Sequence, residues 1–171
     1  MTETLETQRL ILRKPKASDL DAAMAFFASD RSVGVGGPLQ EGQAWRGFAA
    51  EIGHWEIHGY GMWVVTRKGD DTALGMIGPW YPAGWPEKEI GWMIWDESVE
   101  GTGIATEAAK AIIDHTWSVL KWDTIVNYIG PDNNRSIALA EKLGAKRDPN
   151  AAAPDGKDCL VYRHTKPEHL S

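Results

Sequence analysis

Two glycines lie in a segment that could bind an anion, Glu100-Gly101-Thr102-Gly103-Ile104-Ala105-Thr106-Glu107-Ala108. The segment follows the apolar run 89–95 and opens a stretch with apolar residues at helical spacing. Glycines let a backbone approach a bulky anion, while the first-turn N–H groups and the dipole of a helix attract negative charge. This order predicts a pyrophosphate-binding turn. A lone Gly-x-Gly is more often a plain strand-to-helix turn, so that alternative stays open for these residues alone.

A second strand-to-helix junction lies further along the chain. Residues 124–129 are typical of a strand, and Asn133-Asn134-Arg135-Ser136 precedes a short helix that ends near Leu143-Gly144. Asn133 is well suited to cap this helix, and its amide could equally hydrogen-bond a ligand lying between the two strand ends. On this residue alone, capping is the favoured interpretation.

The elements that would position these turns alternate between strands and helices. Strands are expected at 10–13, 62–66, 73–77, 89–95 and 124–129, and helices at 19–27, 40–57, from 104 and before 144. The strands at 62–66 and 73–77 flank the polar turn Lys68-Gly69-Asp70-Asp71 and should form a hairpin. No repeat, low-complexity tract or linker divides the 171 residues. The sequence therefore predicts one α/β domain over residues 1–171.

Composition narrows the class of protein. The formal net charge of −6 argues against general nucleic-acid binding, which needs a basic surface. Cys159 is a single cysteine, and His54 and His58 have helical spacing without a third ligand. Neither a disulfide nor a metal site is therefore predicted. No stretch reaches membrane-spanning length and residues 1–6 lack the pattern of a signal peptide, so we expect a soluble protein of the reducing cytoplasm.

Taken together, the two junctions resemble a known family. Gly101-Thr102-Gly103-Ile104-Ala105-Thr106-Glu107-Ala108 and Asn133-Asn134-Arg135-Ser136 followed by Glu141-Lys142-Leu143-Gly144 look like the two cofactor motifs of the GNAT superfamily of N-acetyltransferases. The opening Glu6-Thr7-Gln8-Arg9-Leu10-Ile11-Leu12-Arg13 with Asp19 resembles its RimJ/RimL-type branch, which includes enzymes that acetylate the N-terminal amine of ribosomal proteins. The resemblance spans nearly the whole chain. It implies a twisted mixed β-sheet flanked by helices, with two central strands splayed apart to admit the pantetheine arm of acetyl-CoA.

The resemblance also implies cofactor-binding positions. Three strand residues would offer backbone groups to the pantetheine amides and the acetyl carbonyl, with an ordinary buried strand as the alternative: Trp92, Met93 and Ile94. Such backbone donors would polarise the thioester and stabilise the oxyanion that forms as an amine attacks. Six residues would cradle the pyrophosphate: Glu100, Gly101, Thr102, Gly103, Ile104 and Ala105. Asn133 would bind the pantetheine or phosphate arm.

Glu100 departs from the family pattern, which usually begins this turn with Gln, Arg or another non-acidic residue. A carboxylate beside a pyrophosphate should repel it. The favoured expectation is that Glu100 turns outward while the glycine amides bind the phosphates, and the alternative is a lower affinity for CoA. Replacement of Glu100 by Gln is predicted to tighten CoA binding, and an unchanged affinity at low salt would show that the side chain points away.

The resemblance implies direct aminolysis of the thioester in a ternary complex, without a covalent enzyme intermediate. Glu89 is the first candidate base, because some GNAT enzymes place there a glutamate that works through water; a solvated strand-end carboxylate is the alternative. Ser136 could relay a proton to the sulfur or merely cap its own helix. Many relatives have a tyrosine as general acid where this chain has Ala140. Tyr128 is a candidate substitute, although a half-buried strand residue is its favoured role.

The acceptor pocket should be built from segments that the cofactor motifs do not use. Five aromatic side chains there could wall a pocket that attracts an ammonium group, although at least half are expected in the core: Trp45, Trp55, Trp80, Tyr81 and Trp85. Asp30 and Glu41 could add negative charge. The acceptor could be a peptide N-terminus, a polyamine, an amino sugar or a small metabolite amine. A homodimer is plausible, and a CoA-binding sensor without turnover is the alternative function.

Overall fold

Apolar and β-branched residues form the strands of a single sheet in the computed structural model, which describes residues 4–171. The strands are β1 (Thr4–Glu6), β2 (Leu10–Arg13), β3 (Trp63–Arg67), β4 (Asp70–Trp80), β5 (Glu89–Ile94), β6 (Val126–Ile129), β7 (Lys146–Arg147) and β8 (Leu160–Arg163). Their order across the sheet is β1-β2-β3-β4-β5-β6-β8-β7. β5 and β6 run parallel, whereas the other neighbouring strands are antiparallel. The predicted mixed α/β fold is confirmed.

Four helices cover the two faces of the sheet. They are α1 (Leu20–Ala28), α2 (Glu41–His58), α3 (Ile104–Ser118) and α4 (Asn134–Lys142). One buried cluster packs α1 and α2 against side chains such as Met76 and Met93, and another packs α3 against side chains such as Ile77 and Ile90. Because successive side chains of a strand point to opposite faces, β5 contributes to both cores. None of these helices, within residues 4–171, is long and apolar enough to cross a membrane.

The central strands β5 and β6 are splayed apart, as predicted. They are paired only at Glu89 and Val126, and they diverge from there towards Ile94 and Ile129. At the closed end of this gap, the side-chain amide of Asn127 donates to the Ile90 carbonyl at 2.6 Å. A side chain thus replaces the next backbone bond of the ladder, and the groove beyond it is bordered by strand backbone on both sides.

Asn127 is itself held by a buried histidine. The Nε2 group of His164, just after β8, donates to Oδ1 of Asn127 at 2.7 Å, since the amide nitrogen is already used on Ile90. Burial lowers the pKa of His164 to about 4, so the ring is neutral at physiological pH. This network fixes the point at which the two strands separate.

The opening motif of the chain has a structural role. Arg13 donates two hydrogen bonds to the carboxylate of Asp19, each at 2.8 Å, and the Asp19 side chain is buried. The same guanidinium reaches Asp71 at the start of β4 at 2.6 Å. These contacts join β2, the beginning of β4 and the start of α1.

The strands differ from the sequence expectation in their boundaries and in their number. β4 continues to Trp80 through Pro79, where we expected a loop. Pro79 lies opposite Ile90 at a position whose nitrogen points away from β5, so its missing N–H breaks no bond there. The strands β1, β7 and β8 were not predicted, because each is short and has little hydrophobic alternation.

Candidate active site

The backbone of β5 divides its hydrogen-bonding groups between β4 and the gap. Trp95, just after β5, donates to the Leu74 carbonyl of β4, and the register pairs Met93 with Met76. In an antiparallel pair, every second residue of a strand forms hydrogen bonds to the partner strand. Met93 is two residues before Trp95, so it also bonds to β4. Its backbone therefore faces β4, and its side chain lies in the α1–α2 core. The expectation that Met93 offers backbone groups to a cofactor is corrected here.

The alternate residues of β5 face the gap. Trp92 and Ile94 form no backbone hydrogen bonds to β4, so their N–H and C=O groups point towards β6. The Ile94 carbonyl already accepts a hydrogen bond from Arg31 at 2.9 Å. Trp92 thus presents backbone groups at the middle of the groove, where the resemblance implies the pantetheine arm.

The glycine turn leads from this groove into α3 with open N–H groups. Gly101 and Gly103 have φ angles of 73° and 79°, in the left-handed region that only glycine adopts without strain. Gly103 caps α3 without a side-chain bond, and the first N–H with a helical acceptor is that of Glu107. In the described chain, the N–H groups of residues 104–106 have no backbone acceptor. A pyrophosphate fits this set of donors.

Arg9, which precedes β2, holds the turn in place. Its Nη1 donates to the Thr102 carbonyl at 3.1 Å, and its Nε pairs with the Glu107 carboxylate at 2.6 Å. Thr7 also donates to Glu107, at 2.6 Å. The opening of the chain therefore fixes the conformation of the turn through the first helical turn of α3.

Glu100 is held by two arginines. Arg31 donates to one carboxylate oxygen at 2.5 Å and Arg135 to the other. These hydrogen bonds, chiefly the one from Arg31, lower the pKa of Glu100. Two positive charges and one negative charge therefore meet beside the turn. The cluster of Glu100 with its two arginines carries a net positive charge. The carboxylate is neither aimed at the turn nor free in solvent.

Asn133 and Ser136 lie on the opposite side of the groove, at the start of α4. Asn133 Oδ1 accepts from the Ser136 N–H at 3.2 Å, so the predicted cap is present and the Nδ2 group points elsewhere. A Cβ at Gly34 would lie 2.7 Å from that Nδ2. The Trp92 indole donates to Ser136 Oγ at 3.0 Å, so this hydroxyl accepts from β5 and retains its own proton.

Glu89 lies at the closed end of the gap, on the sheet face covered by α1 and α2. The Trp85 indole donates to its Oε2 at 2.7 Å. Burial raises the pKa of Glu89 to about 7, against the lowering effects of Trp85 and of the Tyr128 backbone. A carboxyl with this pKa exists in both protonation states near neutral pH and can exchange a proton with an amine.

Glu51 is a second carboxyl that sequence reasoning missed. It lies on the buried face of α2, its side chain is 6% exposed, and its Oε2 has no hydrogen-bond partner among residues 4–171. Burial first, and then the Glu89 carboxylate, raise the pKa of Glu51 to about 8. The sequence signal for Glu51 was its helical spacing from Phe48 and Trp55, which are buried. A charged residue on the apolar face of a helix is costly to bury and therefore indicates a special role.

Tyr128 and Cys159 lie near the Glu89 carboxyl, but neither side chain has a lowered pKa. The Tyr128 hydroxyl accepts from the Glu87 N–H at 3.1 Å, and burial, chiefly, raises its pKa to about 12. Burial, and then the nearby Glu89, raise the pKa of Cys159. The sequence did not predict that Cys159 lies near this site. Its thiol is held in the neutral form, which is the poorer nucleophile.

His54 positions the aromatic loop that carries Trp85. Its Nε2 accepts from the Tyr81 N–H at 2.9 Å, so its Nδ1 carries the proton and donates to the Tyr60 carbonyl at 2.8 Å. The ring also stacks on Trp80, with centroids 4.7 Å apart. His54 therefore acts as a structural residue. Within residues 4–171, no group of three side chains suited to a metal ion is found.

The other aromatic residues named from the sequence separate into two groups. Trp55 is buried in the core, whereas Trp45 is 55% exposed near the start of α2. Trp80, at the end of β4, is half-buried, as are Tyr81 and Trp85 in the loop before Glu89. The apolar face of α2 is turned relative to the expectation, because it includes Glu51.

A groove between splayed parallel strands, ending at a helix start with open N–H groups, is suited to an extended thioester carrier and so to acyl transfer. Residues 9–146 match the family described as Acetyltransferase (GNAT) domain. The chain therefore belongs to the GNAT acetyltransferases.

A solved structure of higher identity agrees with this assignment. An acetyltransferase from Agrobacterium tumefaciens is 37% identical, with a TM-score of 0.90 over 96% of this chain and 95% of that one. YkkB, an uncharacterized protein of Bacillus subtilis, is 31% identical over 93 residues, and the match spans 51% of each protein. RimL, a ribosomal-protein α-N-acetyltransferase solved with coenzyme A, is 19% identical with a TM-score of 0.71, over 95% of this chain and 97% of that one. At that identity the likeness concerns the fold alone.

Proposed function

We propose that this protein is an acetyl-CoA-dependent N-acetyltransferase that moves the acetyl group directly to a primary amine. The proposal rests on the position of the Glu89 carboxyl, which is half-buried and has a pKa raised to about 7, at the closed end of the β5–β6 gap. An amine must lose its proton before it can attack a thioester, and a carboxyl with this pKa accepts that proton at neutral pH. The proposed setting is the cytoplasm.

The proposed cofactor position follows the groove. Acetyl-CoA would supply the activated acetyl thioester. The N–H groups of residues 104–106 would bind its pyrophosphate, with the Arg31 and Arg135 side chains beside them. The Trp92 backbone would bind the pantetheine arm, and the Asn133 Nδ2 group would bind the pantetheine or phosphate arm. In this order the thioester would lie towards Glu89, because the gap narrows in that direction.

The proposed transfer needs two proton movements. Glu89 accepts the proton of the amine, directly or through water, as the new nitrogen–carbon bond forms. The carbon–sulfur bond then breaks, and Ser136 is suited to give its hydroxyl proton to the departing sulfur because its oxygen already accepts from Trp92. Tyr128 is a weaker candidate acid, since its pKa is about 12. A sensor without turnover is not favoured, because it would not use a carboxyl tuned in this way.

The test combines cofactor binding with an amine panel. Calorimetry would measure the affinities for acetyl-CoA and desulfo-CoA, and a thiol-release assay would examine polyamines, amino sugars, amino acids and peptides with free N-termini. We expect saturable binding and turnover on at least one class. Binding without turnover on any class would support the sensor instead, and absence of binding would overturn the cofactor assignment.

A further inference from the structure

The two strands that border the groove stay extended beyond the point where they stop pairing with each other. β5 is paired with β4 as far as Ile94, and β6 is paired with β8 as far as Ile129. With each other they pair only at Glu89 and Val126. Extended parallel strands that face each other with open N–H and C=O groups tend to continue their ladder. A local feature of the gap must therefore stop the ladder at this pair.

The Asn127 side chain occupies the place where the ladder would continue. Val126 donates its N–H to the Lys88 carbonyl at 3.2 Å. In a parallel ladder the next bond, two residues further along each strand, would run from the Tyr128 N–H to the Ile90 carbonyl. The Asn127 amide donates to that carbonyl at 2.6 Å instead. The side chain therefore fills the position that the Tyr128 N–H would take.

His164 holds the Asn127 amide in this orientation. Its Nε2 group donates to Asn127 Oδ1 at 2.7 Å, and its backbone N–H donates to the Ile125 carbonyl, just before β6, at 3.0 Å. Asn127 and His164 are only 2% and 6% exposed. A flipped amide would place its oxygen against the Ile90 carbonyl and lose the bond from His164. Two buried polar side chains are thus committed to one backbone carbonyl at the closed end of the groove.

We propose that Asn127, held by His164, is a positioning residue that stops the β5–β6 ladder and so keeps the groove open for the pantetheine arm of acetyl-CoA. The inference rests on the proposed cofactor position and names the residue that maintains it. Asn127 acts through the backbone of β5 and touches no reacting atom.

Loss of the Asn127 bond would let the ladder advance by one pair, Gly91 with Tyr128. The new pair would bond the Trp92 N–H to the Tyr128 carbonyl. It would use the backbone group that Trp92 presents to the pantetheine arm. The closed end of the groove, and with it the thioester, would move away from Glu89.

Amide hydrogen exchange without cofactor tests the open ladder directly. In the wild type the Trp92 N–H should exchange as fast as that of an exposed loop, whereas the Met93 N–H, bonded to β4, should be protected. In the double variant Asn127→Val with His164→Phe, exchange at Trp92 should slow about 100-fold or more, because the amide gains a backbone partner. Replacing both polar side chains leaves neither of them buried and unpaired.

Calorimetry measures the consequence for acetyl-CoA, whose affinity should fall about tenfold or more in the double variant. Thr66→Val is the matched control. Thr66 is buried in β3, and its hydroxyl donates to the Ile11 carbonyl of β2 at 2.9 Å, so this variant also loses a buried bond to a neighbouring strand. β2 and β3 are fully paired there, so the affinity and the exchange at Trp92 should be unchanged. His164→Gln retains an N–H donor and should keep the wild-type exchange at Trp92.

Several results would contradict the inference. Slow exchange at Trp92 in the wild type overturns it without any variant. Unchanged exchange or unchanged affinity in the double variant also overturns it, as does an equal loss of affinity in Thr66→Val. A wild type that binds no acetyl-CoA overturns the proposed function instead, because the exchange rates report on the ladder without the cofactor.

Discussion

The surroundings of Glu100 reverse the expectation, drawn from its charge, that it repels a pyrophosphate. Next to a pyrophosphate an isolated carboxylate would repel the ligand, but this one is bound by Arg31 and Arg135. The local charge is therefore positive already, and the two guanidinium groups are positioned in advance. The positive charge and the fixed positions of the arginines both result from the arrangement of three side chains. The residue type of Glu100 alone does not specify that arrangement.

Replacement of Glu100 by Gln should tighten CoA binding severalfold at low salt, because the two arginines lose their anionic partner and gain net charge. Calorimetry with CoA at low and at high ionic strength measures the effect, which should shrink as salt rises. Glu97→Gln, an exposed neighbour, serves as the matched control. Weaker binding in Glu100→Gln would instead mean that the carboxylate is needed to orient the arginines.

Protonation of Glu89 should cause the loss of turnover at low pH. Its pKa of about 7 means that the carboxylate, the form that accepts a proton, increases as pH rises through that value. We expect kcat to rise with pH around 7 and the Glu89→Gln variant to lose most of its turnover, about 100-fold, while CoA still binds. Steady-state rates from pH 5.5 to 8.5 provide the measurement. An unchanged profile in the variant would assign the proton acceptor to another group.

At the scale of elements, the short helical turn Asp30–Val35 connects both walls of the groove. Arg31 reaches β5 and the glycine turn, and Gly34 packs against the Asn133 amide at the start of α4. From the sequence, Asp30 of this turn was expected only to add negative charge to the acceptor pocket. The contacts are between residues far apart in the chain, so no local pattern indicates them.

Gly34→Ala should displace the Asn133 side chain, since the added Cβ would lie 2.7 Å from its Nδ2 atom. We expect CoA affinity to fall about three- to tenfold, with little change in the proton-transfer steps, because Asn133 is a proposed cofactor ligand. Calorimetry gives the affinity. Gly53→Ala is the control: nothing lies within 4 Å of the added atom in α2, so binding should be unchanged and stability equal or higher. Equal affinities in both variants would remove Asn133 from the cofactor site.

The whole molecule should lose stability as pH rises from 6.5 to 8. The folded-state pKa values of Glu89 and Glu51, about 7 and 8, exceed the ordinary value of 4.5, so the folded protein holds protons that the unfolded chain releases. Their contribution is complete below pH 4.5 and is lost as pH passes through 7 and 8. His164 acts in the opposite sense, but only between about pH 4 and 6.5.

Urea unfolding at pH 6.5 and 8 measures this effect in the wild type and in Glu51→Gln. The free energy of unfolding should fall by on the order of 1 kcal/mol in the wild type and by less in the variant, since one pKa unit corresponds to about 1.4 kcal/mol. Glu56→Gln should behave as the wild type. A flat wild-type curve would mean that neither carboxyl is shifted as described.

The sequence predicted those parts of the molecule that local patterns encode. The glycine turn, the Asn133 cap and, through the family resemblance, the splayed strands all agree with the structure. Glu51 was missed and Met93 was misplaced for physical reasons. The first depends on how α2 rotates against the sheet, and the second on which side of β5 each backbone group faces, and only packing and register decide these.

Strand β8 completes the site although it comes late in the chain. It covers the edge of β6, and the segment leading into it carries Lys157 against Trp85 and Cys159 near Glu89. Synthesis proceeds from the N-terminus, so on a nascent chain the splayed strands form before this wall can be added. Until then β6 exposes unpaired backbone groups, which invite pairing with other chains. Products that end before residue 160 should therefore aggregate instead of retaining partial activity.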